Sequence, residues 1–413
     1  MLSEKTSAAH PPHAYARELI RPTRGRRLKW QTEKLAYRAF EVLLGAVPLP
    51  WIARLGRLAG ALAHGLLGKR RRVVERNLRI AFAGERNAAE RAALAREVFR
   101  RSGANLLCSL GTAAKDGRGL AASITVRDEQ IFWEAQARGK GVVAVLAHMG
   151  NWEALAQWIP RLLPPEVKVA NIYRPLNNPL LDQRVLAKRK RDGMVMFSKD
   201  DNPLAMAAFV RAGGALSILS DQRAGKIGEL APLFGRNASV TPLPAILARR
   251  TGAALIGVSL RTIAPGRWEL GFHASDATEP TTGHVMELLE RVMRVSPEDV
   301  FWMQDRWKVD RGRPHRPPGK LPRGACPPAA KRRRALLWPD AAGRLPVAPA
   351  AVPDDVAPET APRAAGEDAE AFLSRVDAAA DLPLDYVVAA APDAELRRAC
   401  RKLGLGLVAE GAK

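Results

Sequence analysis

Five short apolar runs, GVVAVLA, VKVANIY, GALSILS, AALIGVSL and RWELGFH, recur between Gly141 and His273, and helical stretches separate them. A strand that is apolar on both faces has to be covered on both faces. Strands joined by helical crossovers run parallel. The expected fold class is therefore α/β, a mainly parallel sheet flanked by helices. An α-helical region precedes it, carried by apolar residues such as Leu94, Val98, Phe99, Leu106 and Leu107 among Glu90, Arg91, Arg96, Arg100 and Arg101. Earlier still, VLLGAVPLPWIA (residues 42–53) contains two prolines and falls short of the ~20 residues that a spanning helix needs. The next stretch, LGRLAGALAHGLLG, ends in Lys69, Arg70, Arg71 and Arg72, an apolar helix with a basic collar. Such a segment suits a membrane interface, with a buried core helix as the alternative.

Composition narrows the partners. Lys and Arg number 65 against 42 Asp and Glu, a formal net charge of +23 and a pI near 10.7. An excess of this size points to an acidic partner: nucleic acid, an anionic membrane or a phosphorylated substrate. Nucleic acid fits poorly. The clusters Lys69–Arg72 and Lys331–Arg334 come with no helix-turn-helix, RNA-recognition or zinc-finger signature, and aromatics at 6% leave few stacking platforms. Cys108, Cys326 and Cys400 are far apart and form no CxxC pair, so neither a disulfide framework nor a cysteine zinc site is expected. That usage suits a reducing compartment. The charged N-terminal residues lack the apolar region of a secretory signal.

Residues 1–33 read as a flexible segment and 34–314 as one large domain, with 34–72 as interfacial helices. Pro- and Ala-rich sequence over 315–368 reads as a disordered linker. Pattern returns in 369–413 (AFLSRV, LDYVVAAA, ELRRACRKLGLGLV), a small α/β-like extension of unassigned role.

Chemistry concentrates in GVVAVLAHMGNWEALAQWI. A strand ends near His148 and a helical pattern opens near Asn151, which puts an imidazole at a strand's C-terminal edge, where open α/β sheets bind ligands. Glu153 follows in the first helical turn. On one continuous helix the two would be about 140° apart, so a turn at Gly150 and Asn151 is needed for Glu153 to reach one ring nitrogen and leave the other as a general base. No Gly-x-Ser-x-Gly elbow or HExxH motif is present, so direct transfer to an alcohol is favoured over a serine acyl-enzyme, and no metal or cofactor is expected.

HMGNWE resembles the His-x4-Asp/Glu signature of glycerolipid-type acyltransferases, in the tryptophan-containing form of the late acyltransferases of lipid A biosynthesis. Further blocks are similar to that family in order: RRRVVERNLRIAF (70–82), YRPLNNPLLD (173–182), SDQRAGKIGELAPLFGR (220–236), TPLPAILARRTGAALI (241–256) and PEDVFWMQDRWK (297–308). The resemblance implies His148 as catalytic base and Glu153 as its acidic partner. Arg174 and Asp221 take the arginine and aspartate of their blocks. Arg223, Arg306 and Lys308 are further candidates for binding an acidic substrate, with Asp221 expected to hold Arg174 or Arg223. The last block departs from many relatives, which carry a His-Arg pair where this chain has Gln304 and Asp305. The implied reaction moves a fatty acyl chain from acyl carrier protein to a hydroxyl of an anionic glycolipid at the cytoplasmic face of the inner membrane, by a peripheral or monotopic enzyme. A lysophospholipid or a mannosylated or aminoacyl lipid is the alternative acceptor.

Overall fold

A computed structural model describes residues 22–115, 118–308, 319–320, 329–340, 342–346 and 355–410. Cys326 lies outside them. Helices α1 (Arg24–Ala46), α2 (Leu49–Leu66), α3 (Gly68–Ala81), α4 (Ala88–Ala114) and the short α5 (Arg118–Ala121) form the expected helical region. The first turns of α1 occupy residues 24–33, which the sequence alone suggests are flexible. Thr23 caps the helix by accepting from the Arg26 amide, and Asn178 donates to the Trp30 carbonyl and to Glu33, so capping and tertiary contacts order a polar stretch that has no core pattern of its own.

Helix α2 meets α4 at glycines. A Cβ on Gly60 would lie 2.1 Å from the Phe99 carbonyl oxygen, so only a bare Cα allows the two backbones to approach this closely. That face is packed. The opposite face leaves Trp51, Leu55, Leu58, Leu62 and Leu66 exposed at helical spacing, and Arg54 stacks over Trp51. Among the described residues no helix is long and apolar enough to cross a membrane.

The α/β body follows as β1 (Ile124–Arg127), α6 (Gln130–Ala137), β2 (Val142–Leu146), α7 (Trp152–Leu162), β3 (Val169–Tyr173), α8 (Pro179–Lys190), β4 (Val195–Ser198), α9 (Pro203–Arg211) and β5 (Ala215–Leu219). It continues through β6 (Glu229–Leu233), β7 (Arg236–Val240), α10 (Leu243–Thr251), β8 (Ala254–Ala264), β9 (Arg267–Ala274) and α11 (Thr282–Arg294). Seven strands make one sheet in the order β1-β9-β8-β2-β5-β3-β4. All neighbours are parallel except β8 and β9, so RWELGFH is the return arm of a hairpin, turned at Gly266, and not another crossover strand. Strands β6 and β7 form a separate antiparallel pair.

Alternation along β2 divides the core. Val143, Val145 and Ala147 point to the side covered by α10 and α11, whereas Val142, Ala144 and Leu146 point to the side covered by α7.

The C-terminal part corrects the linker assignment. Strands β10 (Arg333–Trp338) and β11 (Val356–Glu359) fall inside 315–368. With α12 (Ala369–Ala378), β12 (Leu384–Ala389), α13 (Ala394–Leu403) and β13 (Gly406–Ala409) they build a parallel sheet in the order β11-β10-β12-β13. This module has its own core around Leu336, Phe372, Leu373, Val387 and Cys400. Arg333 and Arg334, read from the sequence as part of a basic cluster in the linker, are buried against Asp355 and Glu359.

Candidate active site

The register of two strands creates the site. Leu146 at the end of β2 pairs with Leu219 at the end of β5, and two residues beyond each stand His148 and Asp221. Equal extension past paired residues brings them side by side, 73 positions apart in sequence. His148 Nδ1 lies 2.5 Å from Asp221 Oδ1, and Arg306 Nη2 donates to Asp221 Oδ2 at 3.1 Å. Asp221 and Arg306 are 2% and 3% exposed. Backbone bonds fix the loop around the imidazole: Phe301 N–H donates to the His148 carbonyl at 2.7 Å, and Gly150 N–H to the Asp299 carbonyl at 3.0 Å. Gly150 has φ +56°, and a Cβ there would meet the Leu260 carbonyl oxygen at 2.3 Å. The predicted turn is present. Asn151 stands at the N-cap of α7 without capping it: its side-chain oxygen accepts from Ser109 Oγ at 2.8 Å instead.

Burial disfavours the charged imidazole, but the charge and hydrogen bond of Asp221 outweigh it and hold the His148 pKa above its ordinary value. Arg306 pulls it down and Glu153 adds to the rise. Asp221 itself is held well below the usual carboxylate range. Burial pushes its pKa up, and His148 and then Arg306 overcome that. With Nδ1 occupied by a carboxylate, the neutral ring carries its proton on Nδ1 and Nε2 is the basic atom. Nε2 sits 3.1 Å from the Gln222 side-chain nitrogen.

Glu153 does not hold the imidazole. Arg189 on α8 takes both of its oxygens, Nε to Oε2 at 3.0 Å and Nη2 to Oε1 at 2.7 Å. The first turn of α7 faces α8, where a planar guanidinium fork matches a carboxylate, while Asp221 already occupies the ring nitrogen from the neighbouring strand. Asp221 in turn holds His148 and Arg306, not Arg174 or Arg223.

Next to the ring a cavity of about 470 Å³ runs between the sheet and α7. Alternate residues of the strands line it (Ala144 and Leu146, Ala215, Ser217 and Leu219, Ile256 and Val258), with Trp152, Leu155, Ala156 and Ile159 opposite. Small side chains on the two central strands leave the space open. At the polar end stand His148, Glu153, Arg174, Arg189, Lys199 and Gln222. Arg223, Arg306 and Lys308 do not line the cavity: Arg306 is buried behind Asp221, Arg223 is half-buried and Lys308 is exposed. Arg189, Lys199 and Gln222 are additions that the sequence reading missed. Arg189 belongs to AKRKRDG, which in sequence is indistinguishable from an ordinary basic helix end. No group of three or more metal-ligating side chains suited to an ion occurs among the described residues.

An apolar cavity ending at a carboxylate-held imidazole beside a group of cations has the shape and chemistry to accept a long apolar chain with an acidic end. Residues 26–309 match the bacterial lipid A biosynthesis acyltransferase family, so the chain belongs to that family and is an acyltransferase. It is 26% identical over 272 residues to the lipid A biosynthesis palmitoleoyltransferase of Escherichia coli K12, covering 64% of this chain and 87% of that protein. The lauroyltransferase of the same organism is 25% identical over 276 residues, 65% and 88% of the two chains. A phosphatidylinositol mannoside acyltransferase of Mycolicibacterium smegmatis is 24% identical over 208 residues, 48% and 66%. The family match ends at residue 309 and leaves the C-terminal module outside it.

Proposed function

We propose that the protein transfers a fatty acyl chain from an acyl carrier protein thioester to a hydroxyl of a lipid A precursor, with His148 as general base. The observation that carries this is the imidazole lining a largely apolar cavity, its Nδ1 taken by a buried carboxylate and its Nε2 beside Gln222, which lines the same cavity. Nε2 removes the proton of the acceptor hydroxyl as its oxygen attacks the thioester carbonyl and the new C–O bond forms. The N-terminal turn of α7, which has no capping side chain, supplies backbone N–H groups for the oxyanion. Collapse breaks the C–S bond, and the thiolate leaves with the proton carried by the imidazolium. The acyl chain lies along Ala144, Ser217 and Ala156. Arg174, Lys199 and the Glu153-braced Arg189 face the acidic groups of the substrates.

Peripheral binding at the cytoplasmic face of the inner membrane completes the reading. The stripe Trp51, Leu55, Leu58, Leu62 and Leu66 would enter the acyl region while nearby cations meet anionic headgroups. The mannoside acyltransferase relative favours a second reading, in which another membrane glycolipid is the acceptor. Incubating the full chain with acyl-loaded carrier protein and either a Kdo-bearing lipid A precursor or a mannosylated lipid, followed by mass spectrometry, separates the two. An added acyl mass on the first acceptor that disappears with His148→Ala is the expected result. Unchanged transfer by His148→Ala removes the proposed base, and acylation of the mannosylated lipid alone reverses the acceptor.

A further inference from the structure

The segment that carries Arg306 lies outside helix and strand and is held in place by side chains from elsewhere. Asn77 on α3 donates its amide to the carbonyls of Trp302 at 2.9 Å and Gln304 at 2.7 Å. Beside it Arg76 donates to Asp305 Oδ1 at 3.3 Å and to the Trp307 carbonyl at 3.4 Å. These contacts flank Arg306, the arginine on Asp221. The same segment starts at Phe301, whose N–H holds the His148 carbonyl.

Arg76 is anchored in turn by a residue outside the α/β body. Asp385, at the start of β12, accepts from Arg76 Nη2 at 2.5 Å, and its Oδ1 lies 2.5 Å from Arg236 Nη2 on β7. Its other oxygen accepts from the Arg334 backbone N–H at 3.0 Å. One buried carboxylate therefore ties β10 and β12 of the module to α3 and β7 of the body. Another acid docks the module away from Asp385 and Arg76: Asp381 pairs with Arg91.

We infer that Asp385 is a positioning residue for the transfer reaction: from the C-terminal module, through Arg76 and the 301–307 segment, it holds Arg306 against Asp221 and so fixes the orientation of the His148 imidazole. The inference rests on the proposed role of His148. Its physical basis is the division of one guanidinium between two duties. A fork with five donors spans Asp385 on one side and Asp305 with the Trp307 carbonyl on the other. Without the negative charge at 385, Arg76 and Arg236 lose their shared partner and relax, and the irregular segment beside Arg76 loses an anchor. Small displacements of a group that orients a base cost turnover more than binding.

The test uses the full chain with Asp385→Asn and, as a docking control, Asp381→Asn, each read by steady-state kinetics and by an NMR titration of the His148 ring. The charged groups facing that ring are Asp221, Glu153 and Arg306. Loosening Arg306 withdraws a positive charge, so the titration moves to higher pH. For Asp385→Asn we expect kcat to fall about tenfold with KM little changed, and the His148 titration to rise. Asp381→Asn leaves both where they are. Unchanged kcat and titration in folded Asp385→Asn, or equal changes in the control, would overturn the inference. Should Asp385→Asn not fold, Arg76→Lys decides: its single ammonium keeps a charge for Asp385 but cannot also span Asp305 and the Trp307 carbonyl, so native kcat and titration in that variant refute the coupling. The titration needs no substrate. A wild-type protein that transfers no acyl chain, yet whose His148 responds to Asp385→Asn, would sink the functional reading and leave the coupling standing.

Discussion

Asp221 and Asp385 are the same residue in nearly the same electrostatic setting, and they do different things. Both are buried. In each the desolvation that would raise the pKa is overcome by cationic partners, and both carboxyls end below their ordinary range. The partners of Asp385 are two arginines and a backbone amide, and Asp385 does not line the cavity beside His148. Asp221 has one arginine and one imidazole, and that imidazole lines the cavity of about 470 Å³. A buried ion pair is therefore no sign of function in itself. A carboxylate can act directly on a reacting group only when one of its partners can change protonation near neutral pH and can be reached by substrate; without such a partner it can act only by positioning.

Breaking the comparison at its active end should give the largest effect. Asp221→Asn removes the charge that favours the imidazolium and the acceptor that fixes the tautomer. We predict a fall in kcat of about 10³–10⁴-fold. The sign of the pH effect follows from the raised His148 pKa. The base works only when neutral, so the acid limb of kcat/KM in the wild type lies above the ordinary histidine value of about 6.5. Loss of Asp221 moves that limb to lower pH, and a pH–rate profile that stays put would show that His148 is not the titrating base.

At the sealed end the expected effect extends beyond turnover to stability. Asp385→Ala strands Arg236 in the interior and should cost about 3–5 kcal/mol in denaturant unfolding of the full chain. Because the folded pKa of Asp385 lies below its unfolded value, its contribution is complete above about pH 4 and is lost as pH falls through the folded pKa. Acid titration of the interface, followed by limited proteolysis, should release the module in that lower range. A module equally protected at neutral and acid pH would contradict the assignment.

Two smaller effects sharpen the contrast between sealed and open surfaces. Leu62→Ala, on the exposed face of α2, should weaken binding to anionic vesicles by about 1–2 kcal/mol and leave the melting temperature nearly unchanged, because the packed face of α2 is untouched. Sedimentation with vesicles measures it. Ser217→Leu narrows the cavity from the sheet side. Competition between long and short acyl donors should then shift toward the shorter chain by about threefold to tenfold.

Much of the fold was legible because burial on both faces of a strand writes itself into local sequence. β2, β3, β5 and β8 are apolar runs and were found as such. β1, β4, β6 and β7 were not, since ITVR, VMFS, ELAPL and RNASV are short and partly polar and have little pattern of their own. β10 was hidden for another reason. Its first two residues are arginines, and a stretch that begins KRRR reads as solvated until Asp355, Glu359 and Asp385 are known to receive it. In the site, His148 stood out because a strand, a turn and a helix follow one another around it. Its partner did not. Glu153 is near in sequence and Asp221 near in space, and the choice between them depends on β5 lying next to β2.

By itself the chain determined the kind of layer it forms, the sheet edge at which the candidate site lies and the imidazole that stands there, since each follows from periodicity and turn chemistry within some 20 residues. Only the tertiary structure decided which carboxylate meets that imidazole, that Arg306 serves Asp221 from behind and does not line the cavity, and that β10 to β13 form a sheet tied into the body through Asp385. Those outcomes depend on strand order and on the pairing of buried charges between distant segments, and no local pattern records which of several arginines a given carboxylate will meet.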